Sequence, residues 1–87
     1  MIDSSETFPI LKISVRLLGS LRDALPREKN GRVILELPVG SAVTDIIQRL
    51  SLRGHLNIAV NETIIAKWDH LLQSGDHVEI FRPAGGG

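Results

Sequence analysis

Three consecutive glycines, Gly85, Gly86 and Gly87, stand at the end of the chain behind Phe81, Arg82, Pro83 and Ala84. With glycine at about 7% of ordinary sequences, three terminal ones arise by chance in roughly 0.03% of chains. The reacting group such an end offers is the α-carboxylate of Gly87. It has a pKa of about 3.3 to 3.7, is ionised at neutral pH, and is a poor electrophile until activated. Conversion to an acyl-adenylate supplies the activation and calls for a partner that uses ATP; no residue of this sequence is suited to that step. Glycine lacks Cβ, so a threaded glycine run fits channels too narrow for other residues. Pro83 holds its φ at about −65° and donates no N–H, so it ends ladder pairing and launches Ala84, Gly85, Gly86 and Gly87 off the sheet. Fully extended, Pro83 to Gly87 spans roughly 16 to 18 Å at about 3.3 to 3.6 Å per residue, long enough to enter another protein's active site. The expectation is a tail over residues 83–87 that is mobile alone and orders only with a partner.

Other chemistries find little support. There is no cysteine, hence no disulfide framework, thiolate metal site or thiol nucleophile. His55, His70 and His77 lack i, i+4 or convergent spacing with acidic residues, so no metal site is expected. A formal net charge of zero and 3% aromatic residues supply neither a basic stripe for phosphate backbones nor a stacking platform, which argues against nucleic acid. No run approaches the ~20 apolar residues of a membrane helix. Residues 1–9 are polar and acidic and read as a frayed leader without secretory character. Membrane association is not expected, and the absence of cysteine is compatible with a cytoplasmic location.

The elements that must carry the tail follow from periodicity. Leu11, Ile13, Val15 and Leu17 alternate with Lys12, Ser14 and Arg16, a half-buried strand. Ser20 to Leu25 forms a short helical turn closed by Pro26, and Asn30-Gly31 turns the chain into a second strand, Arg32 to Leu37. One helix is expected from Ser41 or Ala42 to about Leu52. Ser41 is the better N-cap, Asp45 suits the first turn, Val43, Ile46, Ile47 and Leu50 make the apolar stripe, and Gly54 supplies the left-handed cap. Leu56 to Val60 and Thr63 to Ala66 flank an Asn61-Glu62 turn. Trp68, Leu71 and Leu72 fall in a crossover, Trp68 as core or half-buried packing. Ser74-Gly75-Asp76 then leads into the last strand, His77 to Phe81, with Val78 and Ile80 inward. The fold class is α+β, a mixed sheet of about five strands under one main helix, with the domain at 10–82.

This layout, with Val60-Asn61 after the helix, Gly75-Asp76 before the final strand and Gly86-Gly87 at the end, resembles the MoaD/ThiS family of ubiquitin-like sulfur carriers over residues 10–87. The resemblance implies the β-grasp fold and a carrier, not an enzyme. It implies that Gly87 is adenylated by an E1-like enzyme and converted to a thiocarboxylate with sulfur from a desulfurase or rhodanese-type donor. No cofactor would be bound, the ATP being used by the activating partner. The Leu17-Leu18-Gly19-Ser20-Leu21-Arg22 segment and the chain length are most similar to the small subunit of molybdopterin synthase. A larger synthase subunit and sulfur donation to a pterin precursor of the molybdenum cofactor are then implied. Leu18, Arg22, Ile64 and Phe81 match the face that subfamily presents to its activating enzyme. Three alternatives stay open: sulfur transfer for the thiamine thiazole or another pathway, a protein modifier joined through Gly87 to lysine amines, and a non-catalytic β-grasp interaction module.

Overall fold

Alternation of apolar and polar residues governs the sheet. In the computed structural model, which describes residues 9–83, strand β1 runs over Ile10–Leu17 and buries Leu11, Ile13, Val15 and Leu17. Two 3-10 helices follow, Gly19–Ala24 and Arg27–Lys29, and the chain returns antiparallel as β2, Arg32–Pro38. The first of them is the short helical turn expected before Pro26, with Leu21 buried. Gly31, at φ 77°, is required by space as well as by conformation: a Cβ there would stand 2.6 Å from the Leu17 carbonyl oxygen.

Strands β3 (Asn57–Val60), β4 (Thr63–Ile65) and β5 (His77–Phe81) complete a five-stranded sheet in the order β2-β1-β5-β3-β4. The last strand in sequence is therefore the central one, parallel to β1 and antiparallel to β3. Helix α1, Val43–Arg49, lays Val43, Ile46 and Ile47 into one core with Ile13, Val15, Leu17, Ile58, Val78 and Ile80. Burying side chains of this size stabilises the fold by about 1.5 to 3 kcal/mol each. This is the β-grasp arrangement.

The helix is shorter than its apolar stripe suggests, and both ends differ from expectation. Ser41 does not cap it: the Ser41 hydroxyl donates to the Pro38 carbonyl at 2.7 Å, within the turn before the helix. The N-cap is Ala42, whose N–H donates to the Asp45 carboxylate at 2.7 Å. The orphan N–H groups of Val43 and Thr44 donate to the His70 and Trp68 carbonyls at 3.0 and 2.9 Å, so the crossover caps the helix across the fold. At the other end Ser51, with φ 56°, takes the left-handed position. Its N–H donates to Gln48 O at 3.1 Å, and Leu52 N–H donates to Ile47 O at 3.0 Å. That pair of bonds is a Schellman motif built without glycine. Gly54 lies beyond it and is not the cap. Trp68, expected as core or half-buried, keeps 36% of its surface exposed and stands outside the core; its neighbour Leu71 is 65% exposed, while Leu72 is buried. The segment matters here through backbone carbonyls.

The expected leader and tail fall outside the described residues, apart from Pro9 and Pro83. Among the described residues no helix is long and apolar enough to cross a membrane.

Candidate functional site

The central strand β5 is bonded through its backbone on both sides. The Leu18 N–H donates to the Ile80 carbonyl at 3.1 Å, and Phe81 pairs with Asn57 of β3. One residue further, Arg82 reaches back over the loop that follows α1: its Nη1 donates to the Arg53 carbonyl at 3.0 Å and to the His55 carbonyl at 3.3 Å. Gly54, at φ 86°, leaves room for the approach: a Cβ there would lie 3.0 Å from that nitrogen. Arg82 thus clasps the end of β5 immediately before half-buried Pro83. Neither composition nor local spacing signals this contact, which joins residues 29 and 27 positions apart.

The four apolar and basic positions expected to dock a partner do not form one cluster. Leu18 and Phe81, both half-buried, lie one residue beyond the paired positions Leu17 and Ile80 of parallel neighbours β1 and β5. They share the face away from α1 at the tail end of the sheet. Ile64, 60% exposed, is on β4, set off by the β3 strand: it pairs with Ala59, which pairs with Glu79 of β5. Ala59 is buried on this outer face, and Glu79 and Asn57 flank it there. Arg22 is elsewhere. It sits on the first 3-10 helix with its side-chain stem over Gly31, 2.8 Å from where a Cβ would be, and lines a hollow of about 650 Å³ with Asp23, Leu25 and Arg27. The tail residues Ala84, Gly85, Gly86 and Gly87 lie outside the described residues.

The Val60-Asn61 and Gly75-Asp76 pairs meet each other at the far end of β5. Asp76, 9% exposed, accepts from the Asn61 amide at 2.9 Å and from the Gln73 N–H at 2.8 Å. Asn61 in turn accepts from the His77 N–H at 2.9 Å and donates its own N–H to the His77 carbonyl at 2.8 Å. These bonds hold Asn61 and Glu62 at φ 51° and 73° in the two-residue hairpin between β3 and β4. Their chemistry is architectural, and they stand a full strand length from the tail.

Known proteins share this fold. The ThiS family model matches residues 15–87. The chain belongs to the ThiS family. No curated protein matches significantly, but solved structures do. A putative molybdopterin converting factor, subunit 1, from Pyrococcus furiosus is 27% identical, with a TM-score of 0.70 over 85% of this chain and 99% of its own. The small archaeal modifier protein 1 of Methanosarcina acetivorans superposes with a TM-score of 0.69 at 20% identity, covering 91% of this chain and 99% of its own. A chain in a complex of subunits 1 and 2 of the molybdopterin-converting factor from Helicobacter pylori gives 0.60 at 21% identity, covering 88% of this chain and 100% of its own. The last two show likeness of fold. ThiS-family membership places the protein among the small sulfur carriers.

Proposed function

We propose that this ThiS-family chain carries sulfur on Gly87 for molybdopterin synthesis. The carboxylate attacks the α-phosphorus of ATP held by an E1-like partner, forming the acyl-adenylate and releasing pyrophosphate. A sulfur nucleophile from a desulfurase or rhodanese-type donor then displaces AMP. If that nucleophile is a persulfide, the product is an acyl disulfide, and a second thiol cleaves it to leave the thiocarboxylate. Sulfur then passes to a pterin precursor inside a larger synthase subunit. The observation that carries this reading is the exit of the central strand: β5 ends at Phe81 beside Leu18, Arg82 clasps the Arg53–His55 loop, and Pro83 precedes the glycines. The molybdopterin assignment is supported by the 27% identical converting-factor subunit from Pyrococcus furiosus.

The test is the intact mass of the untagged protein after incubation with an E1-like enzyme, ATP and a sulfur source. The expected product has one oxygen replaced by sulfur, localised to Gly87, and restores molybdopterin formation when mixed with a converting-factor large subunit. An unchanged mass, with an enzyme proved active on its own carrier, overturns the proposal. Isopeptide conjugates captured under denaturing conditions would assign the chain instead to protein modification.

A further inference from the structure

We propose that β2 is an interface for a second copy of this chain, which adds its own β2 antiparallel and centred on Ile34. Strand β2 ends the sheet on one side. The Leu17 N–H donates to the Gly31 carbonyl at 2.7 Å, and Val15 with Val33 and Ile13 with Leu35 continue the same register. In an antiparallel ladder the bonded residues alternate, so the odd-numbered residues of β2 bond to β1. Arg32, Ile34 and Glu36 therefore direct their backbone N–H and C=O groups to the open edge. The Ser14 N–H, which this parity turns the other way, does bond across to the Asp76 carbonyl at 3.0 Å.

The side chains of these same three residues make the edge complementary to itself. The run is Arg32-Val33-Ile34-Leu35-Glu36. A two-fold axis at Ile34 sets Ile34 against Ile34, Arg32 against Glu36, and Glu36 against Arg32. All three pairs fall at positions where the N–H and C=O groups face the partner strand, so each exchanges both backbone bonds. Ile34 is a large aliphatic side chain left 68% exposed. Around Arg32, a groove of about 730 Å³ is lined by Arg16, Lys29, Ile34 and His77. Glu79 stands 3.5 Å from Arg16 and 3.9 Å from His77; among the described residues Arg32 and Lys29 form no ion pair. Glu36 of the second copy supplies the carboxylate. At the Glu36 end, Ile10, Leu37, Pro38 and Val39 line a hollow of about 540 Å³. Opposite charges facing across strands favour this register, and a parallel addition or a one-residue slip loses them. The central strand β5 and the Leu18 and Phe81 surface stay uncovered. An interface of one strand edge is small, so the dimer is weak and concentration-dependent, with a Kd of about 10 µM to 1 mM.

Sedimentation equilibrium on the full chain from about 10 µM to 1 mM, spanning that range, tests this directly. Wild type is expected to pass from monomer to dimer, with amide exchange at Arg32, Ile34 and Glu36 slowing as the dimer forms. Arg32→Glu and Glu36→Arg each replace two attractive pairs by repulsive ones and weaken the dimer by about tenfold or more. The double variant Arg32→Glu/Glu36→Arg restores both pairs with exchanged sides and returns the Kd to near wild type. Circular dichroism melting shows that each variant is folded. A monomer throughout the range overturns the proposal, as does a double variant no tighter than the single ones. A dimer that protects Leu18 and Phe81 instead of β2 also overturns it.

Discussion

Strand β5 has two ends built on opposite principles. At the His77 end, side chains do the work: buried Asp76 and the Asn61 amide close a ring of hydrogen bonds between 2.8 and 2.9 Å that fixes the β3–β4 hairpin against the strand. At the Phe81 end, the chain is gripped by its backbone and by one guanidinium, apolar side chains face outward, and the reactive atom proposed for the protein is a terminal carboxyl that belongs to no side chain. Both ends supply family-pattern residues, yet only one of them touches the proposed chemistry. Short sequence patterns therefore mark the frame as readily as the site.

That contrast can be broken. The largest effect is expected at Gly87: deleting it, or adding one residue after it, abolishes the gain of sulfur seen by intact mass while leaving the unfolding midpoint unchanged. Asp76→Ala should do the reverse. It strands the Asn61 amide and the Gln73 N–H and lowers stability in urea by about 2 to 6 kcal/mol, at about 1 to 3 kcal/mol per unsatisfied group. The protein that remains folded still accepts sulfur. Phe81→Asp or Leu18→Asp places a charge on the apolar surface beside the tail and should weaken binding to the activating enzyme by about tenfold or more in calorimetry. Stability should change little, because both side chains are only half-buried. The smallest effect is expected from Arg82→Ala, about 0.5 to 1.5 kcal/mol. Faster amide exchange around residues 53–55 is its signature, since the loop loses its two bonds to the guanidinium.

The strands were legible because their signal is local. Leu11, Ile13, Val15 and Leu17 alternate with polar residues and are all buried, and Val78 and Ile80 behave likewise in β5. The helix was legible in its stripe and not in its ends. Ser41 has the chemistry of a cap but is held by Pro38, while carbonyls of Trp68 and His70, more than twenty residues away, take the orphan N–H groups. Ser51 occupies a left-handed position where glycine was expected at Gly54. Of the positions expected to face a partner, Leu18 and Phe81 lie at neighbouring strand ends, Ile64 is set off by β3 and Arg22 lies over Gly31, placements that depend on strand pairing and not on local spacing.

By itself the sequence determined the period of each strand, the stripe of α1, the turn at Asn30-Gly31, the absence of any cysteine and the glycines at the terminus. Each of these depends on neighbours within a few positions, where backbone geometry repeats with a fixed period. Only the tertiary structure decided that the last strand is central, that Asn61 and Asp76 lock one another, and that Arg82 clasps the loop around Gly54. Those contacts join residues far apart in the chain, and a hydrogen bond of about 3 Å exists only once the fold has brought donor and acceptor together.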